Sequence, residues 1–131
     1  MAKPLRFLVV DDSSTMRRLI GNLLQECGFN AVEEAPHGAA ALQKLRDDKF
    51  DFVVSDINLP GMNGFELLAE IKKDATLRNT PVLMVAAQAR RQDILQATAL
   101  GAAGYVIKPF TKTILQDKVL VILRKHGLVQ Q

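Results

Sequence analysis

Short apolar segments alternate along this sequence with longer segments that have a helical period. An apolar segment such as residues 5–10 has the composition of a strand that is buried on both faces of a parallel sheet. In the next segment apolar residues recur at helical spacing, with Ser13 as a candidate N-cap and Gly28 as the C-terminal glycine. This change of period occurs five times along the chain, which predicts five strands and five helices in strict alternation.

The positions of these elements can be predicted from the pattern. The predicted strands cover residues 5–10, 31–35, 52–55, 81–86 and 105–107. The predicted helices lie between Ser13 and Gly28 and over residues 38–47, 64–73, 92–100 and 112–125. Right-handed crossovers join such an alternation into a parallel sheet with helices on both faces, so we expect a doubly wound α/β fold. No linker or internal repeat divides the sequence, and we expect a single domain over residues 1–131.

Charge and composition argue against several other classes of protein. No apolar run approaches the roughly 20 residues of a membrane-spanning helix, so we expect no membrane insertion. The only cysteine, Cys27, cannot form an internal disulfide bond, which suits a cytoplasmic protein. The net charge of +3 is mildly basic, but the cations are scattered in pairs such as Arg17-Arg18 and Arg90-Arg91, which we interpret as solvated helix faces. Because there is no basic stripe, we expect no direct contact with nucleic acid.

Charged side chains follow three of the predicted strands at the points where those strands end. Asp11 and Asp12 follow the first strand, Asp56 the third and Lys108 the fifth. Ligands of open parallel sheets bind at the carboxyl ends of the strands, so we expect these four side chains to converge. Three carboxylates in a small space repel one another unless a cation intervenes, and an all-oxygen donor set favours Mg²⁺.

The same four residues suggest phosphate chemistry. Lys108 supplies a positive charge for an anion beside the metal, and a carboxylate in such a site can attack phosphorus. Each feature alone has an ordinary structural explanation, since an acidic pair often caps a helix and a Lys-Pro pair is common in turns. Their combination at one sheet edge therefore carries the functional interpretation.

Three segments of the sequence show a family resemblance. They are residues 7–18 (FLVVDDSSTMRR), 55–62 (SDINLPGM) and 104–111 (GYVIKPFT). These segments resemble the response-regulator receiver family of two-component signalling systems, and within it the stand-alone chemotaxis regulators, over essentially the whole chain. The resemblance implies a flavodoxin-like sheet of five parallel strands in the order 2-1-3-4-5, with five surrounding helices.

The resemblance also implies a role for each residue of the site. Asp56 would be the phosphoacceptor and would take its phosphoryl group from the phosphohistidine of a histidine kinase. Asp12, Asp56 and the backbone carbonyl of Asn58 would hold Mg²⁺ directly, with Asp11 acting through a water molecule. Lys108 would contact the phosphate. No enzymatic activity is implied beyond self-phosphorylation from a phosphodonor and self-dephosphorylation.

Partners are implied in the same way. The phosphodonor would be a histidine kinase of the CheA type, and the output partner a protein such as a component of the flagellar switch. The partner surface would be the face formed by the fourth helix, the fifth strand and the fifth helix. Its candidate contact residues are Arg90, Arg91, Ile94, Tyr105 and Lys118. Receivers of this kind are usually monomeric, so we expect a monomer.

One residue departs from the family pattern. Ala86 ends the fourth predicted strand, where the family usually has a Ser or Thr whose hydroxyl binds a phosphoryl oxygen and lets the aromatic residue of the fifth strand, here Tyr105, turn inward. Ala86 has no hydroxyl, and a charge-assisted hydrogen bond is worth about 1.5–3 kcal/mol. That free energy shifts a two-state equilibrium roughly ten- to a hundredfold, so we expect the phosphorylation chemistry to be kept and the conformational switch to be weakened.

Several functions therefore stay open at the level of sequence. The leading hypothesis is a stand-alone, phosphorylation-controlled binding module. A phosphate sink that drains a shared kinase and a receiver that binds its partner without phosphorylation are the alternatives that Ala86 favours. A phosphatase of the haloacid-dehalogenase type also has an Asp nucleophile after a strand, but it normally has a second Asp two residues later, where this chain has Asn58.

Overall fold

The computed structural model describes residues 4–129 and shows the predicted alternation of five strands and five helices. Residues 1–3 and 130–131, which belong to the predicted domain, lie outside the described residues. The strands are β1 (Arg6–Val10), β2 (Ala31–Ala35), β3 (Phe52–Asp56), β4 (Val82–Ala86) and β5 (Gly104–Ile107). The helices are α1 (Ser14–Glu26), α2 (Gly38–Asp47), α3 (Gly64–Lys73), α4 (Arg91–Ala99) and α5 (Lys112–Lys125).

All four pairings in the sheet are parallel, and the strand order is β2-β1-β3-β4-β5. This confirms the predicted doubly wound α/β fold and the implied strand order. The order reverses between β1 and β3, so the carboxyl ends of these two strands flank the position where such sheets bind ligands. No helix in the described part of the chain is long and apolar enough to cross a lipid bilayer.

Successive strand residues belong to two separate hydrophobic cores. On β1, Leu8 and Val10 pack with residues of α2 and α3, whereas Phe7 and Val9 pack with residues of α1 and α5. Side chains alternate between the two faces of a strand, and both faces of this sheet are covered. The central strands β1, β3 and β4 are therefore largely apolar, whereas the edge strand β2 carries Glu33 and Glu34.

The boundaries of the elements differ from prediction by one residue at most. β3 extends to Asp56 because this residue still pairs with Val85 of β4. β4 begins at Val82, one residue after Pro81, and α4 begins at Arg91 rather than at residue 92. Ser13 caps α1 as predicted, because its side chain accepts a hydrogen bond from the Met16 N–H.

Candidate functional site

Three carboxylates lie together at the carboxyl edge of the sheet. Asp11 and Asp12 follow β1, Asp56 ends β3, and one oxygen atom from each lies within 4.8 Å of the others. Asp11 and Asp56 are buried, with 1% and 6% of their surface exposed, whereas Asp12 is exposed. The cluster therefore has a buried base and an open side.

The Lys108 ammonium reaches this cluster from the end of β5. Its Nζ lies 3.2 Å from an oxygen of Asp11 and 3.3 Å from an oxygen of Asp56. Burial alone would lower the pKa of Lys108, but the carboxylates of Asp56 and Asp11 outweigh burial and the pKa is raised. Lys108 is therefore a fixed cation that partly balances two buried acids.

Asp56 occupies the centre of the site. Its burial raises the pKa of the carboxyl group, an effect that the charge of Lys108 opposes and the charge of Asp11 reinforces. The Asn58 N–H lies 3.4 Å from one oxygen of Asp56. A raised pKa means that the ionised form of Asp56 is less favourable than it would be in water. A further cation in the site would stabilise that ionised form.

The chemistry of these donors fits Mg²⁺. Carboxylate oxygens with an open side suit a hard ion that keeps several water molecules, and no His or Cys belongs to the cluster formed by the described residues. Asp11, Asp12 and Asp56 are the side chains that could hold the ion, and the backbone carbonyl of the exposed Asn58 lies two residues beyond Asp56.

Ala86 ends β4, the strand that pairs with the end of β3, and only 3% of its surface is exposed. A cavity of about 160 Å³ opens next to it, between the loop after β3 and the loop after β4. The cavity is lined by Ile57, Asn58, Ala86, Ala87, Gln88, Arg90 and Asp93. At this position the side chain is a methyl group, so it offers no hydroxyl to an anion bound at Asp56.

Tyr105 connects the same loop to β5. Its hydroxyl donates a hydrogen bond of 3.4 Å to the Gln88 carbonyl, and the ring is half-buried. Burial raises the pKa of the Tyr105 hydroxyl. The Tyr105 side chain is thus in contact with the loop after β4.

The remaining predicted surface residues lie at the start of α4, on α4 and on α5, and both helices pack on the edge strand β5. Arg90, Arg91, Ile94 and Lys118 are all exposed. These helices also carry three exposed apolar side chains that were not predicted, Leu95, Ile114 and Val121, which are 45–57% exposed. In the sequence, each of these residues is an apolar residue that does not fall on the buried face of its helix. Such a departure from the helical period is a weak indication of a surface patch.

Two further residues of the site were not predicted. Arg17, which we expected on a solvated helix face, instead donates hydrogen bonds to the Asp11 carbonyl and the Glu34 carboxylate. Gly64, the first residue of α3, lies against the backbone of Asp56 and Ile57, and its N–H donates to the Ile57 carbonyl at 2.8 Å. Both contacts join residues that no local sequence pattern relates.

Comparison with known proteins gives one consistent result. The sequence model of the family described as the response regulator receiver domain matches residues 7–120 of this chain. The chain is 48% identical over 117 residues to chemotaxis protein CheY-3 of Vibrio cholerae, covering 89% of this chain and 90% of that protein. The crystal structure of CheY4 from Vibrio cholerae has a TM-score of 0.87 at 32% identity and covers 92% of this chain and 100% of that one. The response regulator TrrA of Thermotoga maritima, solved in complex with Mg²⁺-BeF, has a TM-score of 0.80 at 34% identity and covers 91% and 99%.

Proposed function

The chain belongs to the response-regulator receiver family, and we propose that Asp56 accepts a phosphoryl group from a histidine kinase in the presence of Mg²⁺. The single observation that carries the proposal is the arrangement of one buried acceptor carboxylate, two neighbouring carboxylates and one ammonium at the same sheet edge. The related TrrA structure in complex with Mg²⁺-BeF supports the choice of metal.

The transfer requires little covalent chemistry from the protein. A carboxylate oxygen of Asp56 attacks phosphorus, the bond from phosphorus to the donor's imidazole nitrogen breaks, and an aspartyl phosphate forms. Lys108 contacts a phosphoryl oxygen and balances its charge. Asp11 and Asp12 provide the carboxylates that would hold the metal beside Asp56. When bound, Mg²⁺ would neutralise charge on the phosphoryl oxygens. Water attack on phosphorus then releases inorganic phosphate and restores the Asp56 carboxylate.

The output of this domain would be a protein contact. The exposed face of α4, β5 and α5, with Arg90, Arg91, Ile94, Tyr105 and Lys118, is the proposed partner surface. We place the chain in chemotaxis, with a CheA-like kinase as phosphodonor and a flagellar switch component as one candidate target, because the curated relatives are chemotaxis proteins. In this proposal the chain is one receiver domain over residues 1–131 that acts as a cytoplasmic monomer.

Ala86 supports a second candidate function. A receiver without the hydroxyl at this position can accept phosphate yet couple it weakly to Tyr105, which suits a phosphate sink or a partner-binding protein that does not require phosphorylation. The buried methyl group of Ala86 and the adjacent cavity favour this alternative.

The test is intact-protein mass after incubation with Mg²⁺ and acetyl phosphate. We expect a single phosphoryl adduct that is cleaved by hydroxylamine and is absent from Asp56→Asn. The matched control is Asp117→Asn, an exposed acid on α5, which should be labelled like the wild type. A wild type without any adduct, although it binds Mg²⁺, would contradict the proposal and leave phosphorylation-independent binding.

A further inference from the structure

We propose that Arg17 is a positioning residue for the metal-binding side of the site, an inference that rests on the proposed function. Its guanidinium joins the loop after β1 to the end of β2. Nη1 donates to the Asp11 carbonyl at 2.7 Å, and Nε donates to the Glu34 carboxylate at 2.9 Å. The side chain is only 16% exposed, although it belongs to an exposed, charged helix end.

The position of Arg17 explains how it reaches the loop. It lies at the end of the first turn of α1, and helical side chains point back toward the helix N-terminus. A cation close to a helix N-terminus is locally unfavourable because of the helix dipole. The carboxylate of Glu34 and the carbonyl of Asp11 compensate for this. The position of Arg17 is therefore favoured by its contacts with other segments and not by its place in α1.

The accepting atom is what gives Arg17 a role in metal binding. The Asp11 carbonyl belongs to the peptide group that links Asp11 to Asp12, and this group is planar. Holding its oxygen therefore also fixes the direction of the Asp12 N–H and Cα. Asp12 is exposed, so the orientation of this peptide group decides whether its carboxylate faces Asp56.

The other contacts of the loop fix Asp11 and Ser13, which flank Asp12, but none of them holds the Asp11 carbonyl. The Asp11 N–H donates to the Ala35 carbonyl at 3.2 Å, and the Asp11 carboxylate accepts from the Ser13 N–H at 2.9 Å and lies 3.2 Å from Lys108. Among the described residues, Arg17 is the side chain that donates a hydrogen bond to the Asp11 carbonyl. Partners of this kind, which orient metal ligands without touching the metal, typically change metal affinity by about 10- to 100-fold.

The chain contains a matched control for this idea. Arg18 is the next residue on the same helix and carries the same charge, but it is exposed and forms no ion pair with any residue the structure describes. Loss of either arginine removes one positive charge near the site. By electrostatics alone, either loss should strengthen the binding of a divalent cation, whereas loss of positioning should weaken it. The two effects have opposite signs.

The experiment is titration calorimetry of Mg²⁺ binding to the wild type, Arg17→Ala, Arg17→Lys and Arg18→Ala. We expect about a tenfold higher Mg²⁺ Kd for Arg17→Ala, an intermediate value for Arg17→Lys, and a value within about twofold of wild type for Arg18→Ala. Acetyl phosphate labelling should show the same order at limiting Mg²⁺, and the difference should shrink at saturating Mg²⁺. Urea unfolding in EDTA ensures that the variants compared are fully folded.

Each outcome has one meaning. An Mg²⁺ Kd for Arg17→Ala that is equal to or lower than that of Arg18→Ala would overturn the positioning role. If Arg17→Ala does not fold, Arg17→Lys is compared with Arg18→Ala, and equal affinities then overturn the inference. A wild type that binds no Mg²⁺ would instead contradict the proposed function, so the two failures can be told apart.

Discussion

At the scale of single residues, Lys108 offsets the repulsion between the carboxylates of the site. Its ammonium lies about equally far from Asp11 and Asp56, both of which are buried. Without Lys108, the two buried carboxylates would have no positive charge beside them. Buried charges without a partner destabilise the folded state.

We therefore expect Lys108→Met to lower the free energy of unfolding by about 1.5–3 kcal/mol in EDTA, the range for charge-assisted hydrogen bonds. The loss should be smaller in Mg²⁺, which takes over part of the charge balance. Lys118→Met, on an exposed part of α5, is the control and should change stability by less than about 0.5 kcal/mol. Urea unfolding followed by circular dichroism measures both variants; equal losses in EDTA and in Mg²⁺ would contradict the electrostatic explanation.

Ala86 permits an equally direct test of a missing hydroxyl. Thr and Val have the same shape, so the difference between Ala86→Thr and Ala86→Val isolates the hydroxyl from the added volume, which the adjacent cavity can receive. Tyr105 is the only tyrosine, and the chain has no tryptophan, so intrinsic fluorescence reports on Tyr105 alone.

We expect phosphorylation to change the Tyr105 emission more in Ala86→Thr than in the wild type, because the new hydroxyl can bind a phosphoryl oxygen and draw the loop after β4 inward. A coupling increased by about tenfold corresponds to roughly 1.4 kcal/mol. Ala86→Val should respond like the wild type. If Thr and Val variants respond alike, the weakened switch that we infer from Ala86 is wrong.

At the scale of elements, the start of α3 is placed by its contact with β3. A Cβ added to Gly64 would lie against the Asp56 carbonyl oxygen, 2.7 Å from the Ile57 Cα and 3.0 Å from the Met84 Cε. Backbone atoms cannot move aside as a flexible side chain can. The glycine is therefore required by close approach, and the approach occurs at the residue that we propose as phosphoacceptor.

Gly64→Ala should consequently destabilise the protein by about 1–3 kcal/mol, the usual effect of overpacking, and slow acetyl phosphate labelling. Gly21 in the middle of α1 offers the opposite case, since its added Cβ would meet only the Val32 Cγ1 at 3.6 Å. We expect Gly21→Ala to stabilise by about 0.5–1 kcal/mol through helix propensity. Chemical unfolding of the two variants checks both signs, and destabilisation of similar size in both would contradict the argument from close approach.

The elements themselves could be predicted because their signals are local. Period, capping residues and glycines placed every strand and helix, and parallel strand ends brought Asp11, Asp12, Asp56 and Lys108 to one edge. Arg17 could not be predicted, because the local pattern of an Arg-Arg pair does not show which member folds back onto a neighbouring strand. Gly64 escaped for the same reason, since its partner backbone belongs to another element.

At the scale of the whole molecule, the fold concentrates its buried charge at one place. The buried polar and charged residues among those described are Asp11, Ser55 and Asp56, and the two carboxylates both belong to the site. The two apolar cores stabilise the sheet on either side of them. The stability of the molecule should therefore depend on the ionisation of the site and on what binds there.

The sign of this dependence follows from Asp56. Burial raises its pKa in the folded state, and an acid with a raised pKa stabilises the fold at low pH and loses that contribution as pH rises through the folded value. In EDTA, the wild type should thus lose stability from about pH 4 upward, starting near the ordinary Asp pKa of about 3.9. Asp56→Asn removes the ionisation, so it should be more stable than wild type at pH 7 and equally stable below pH 4.

Mg²⁺ should reverse the order, because a ligand of the folded state stabilises it by RT ln(1 + [L]/Kd), and the wild type provides a carboxylate that Asp56→Asn lacks. Urea unfolding at several pH values, in EDTA and in Mg²⁺, measures the whole pattern, with Asp117→Asn as a control that should follow the wild type. If Asp56→Asn were less stable than the wild type in EDTA at pH 7, the ionised Asp56 would be stabilising the fold. Lys108 would then have to overcome the burial of that carboxylate, and the site would not depend on a further cation for its charge balance.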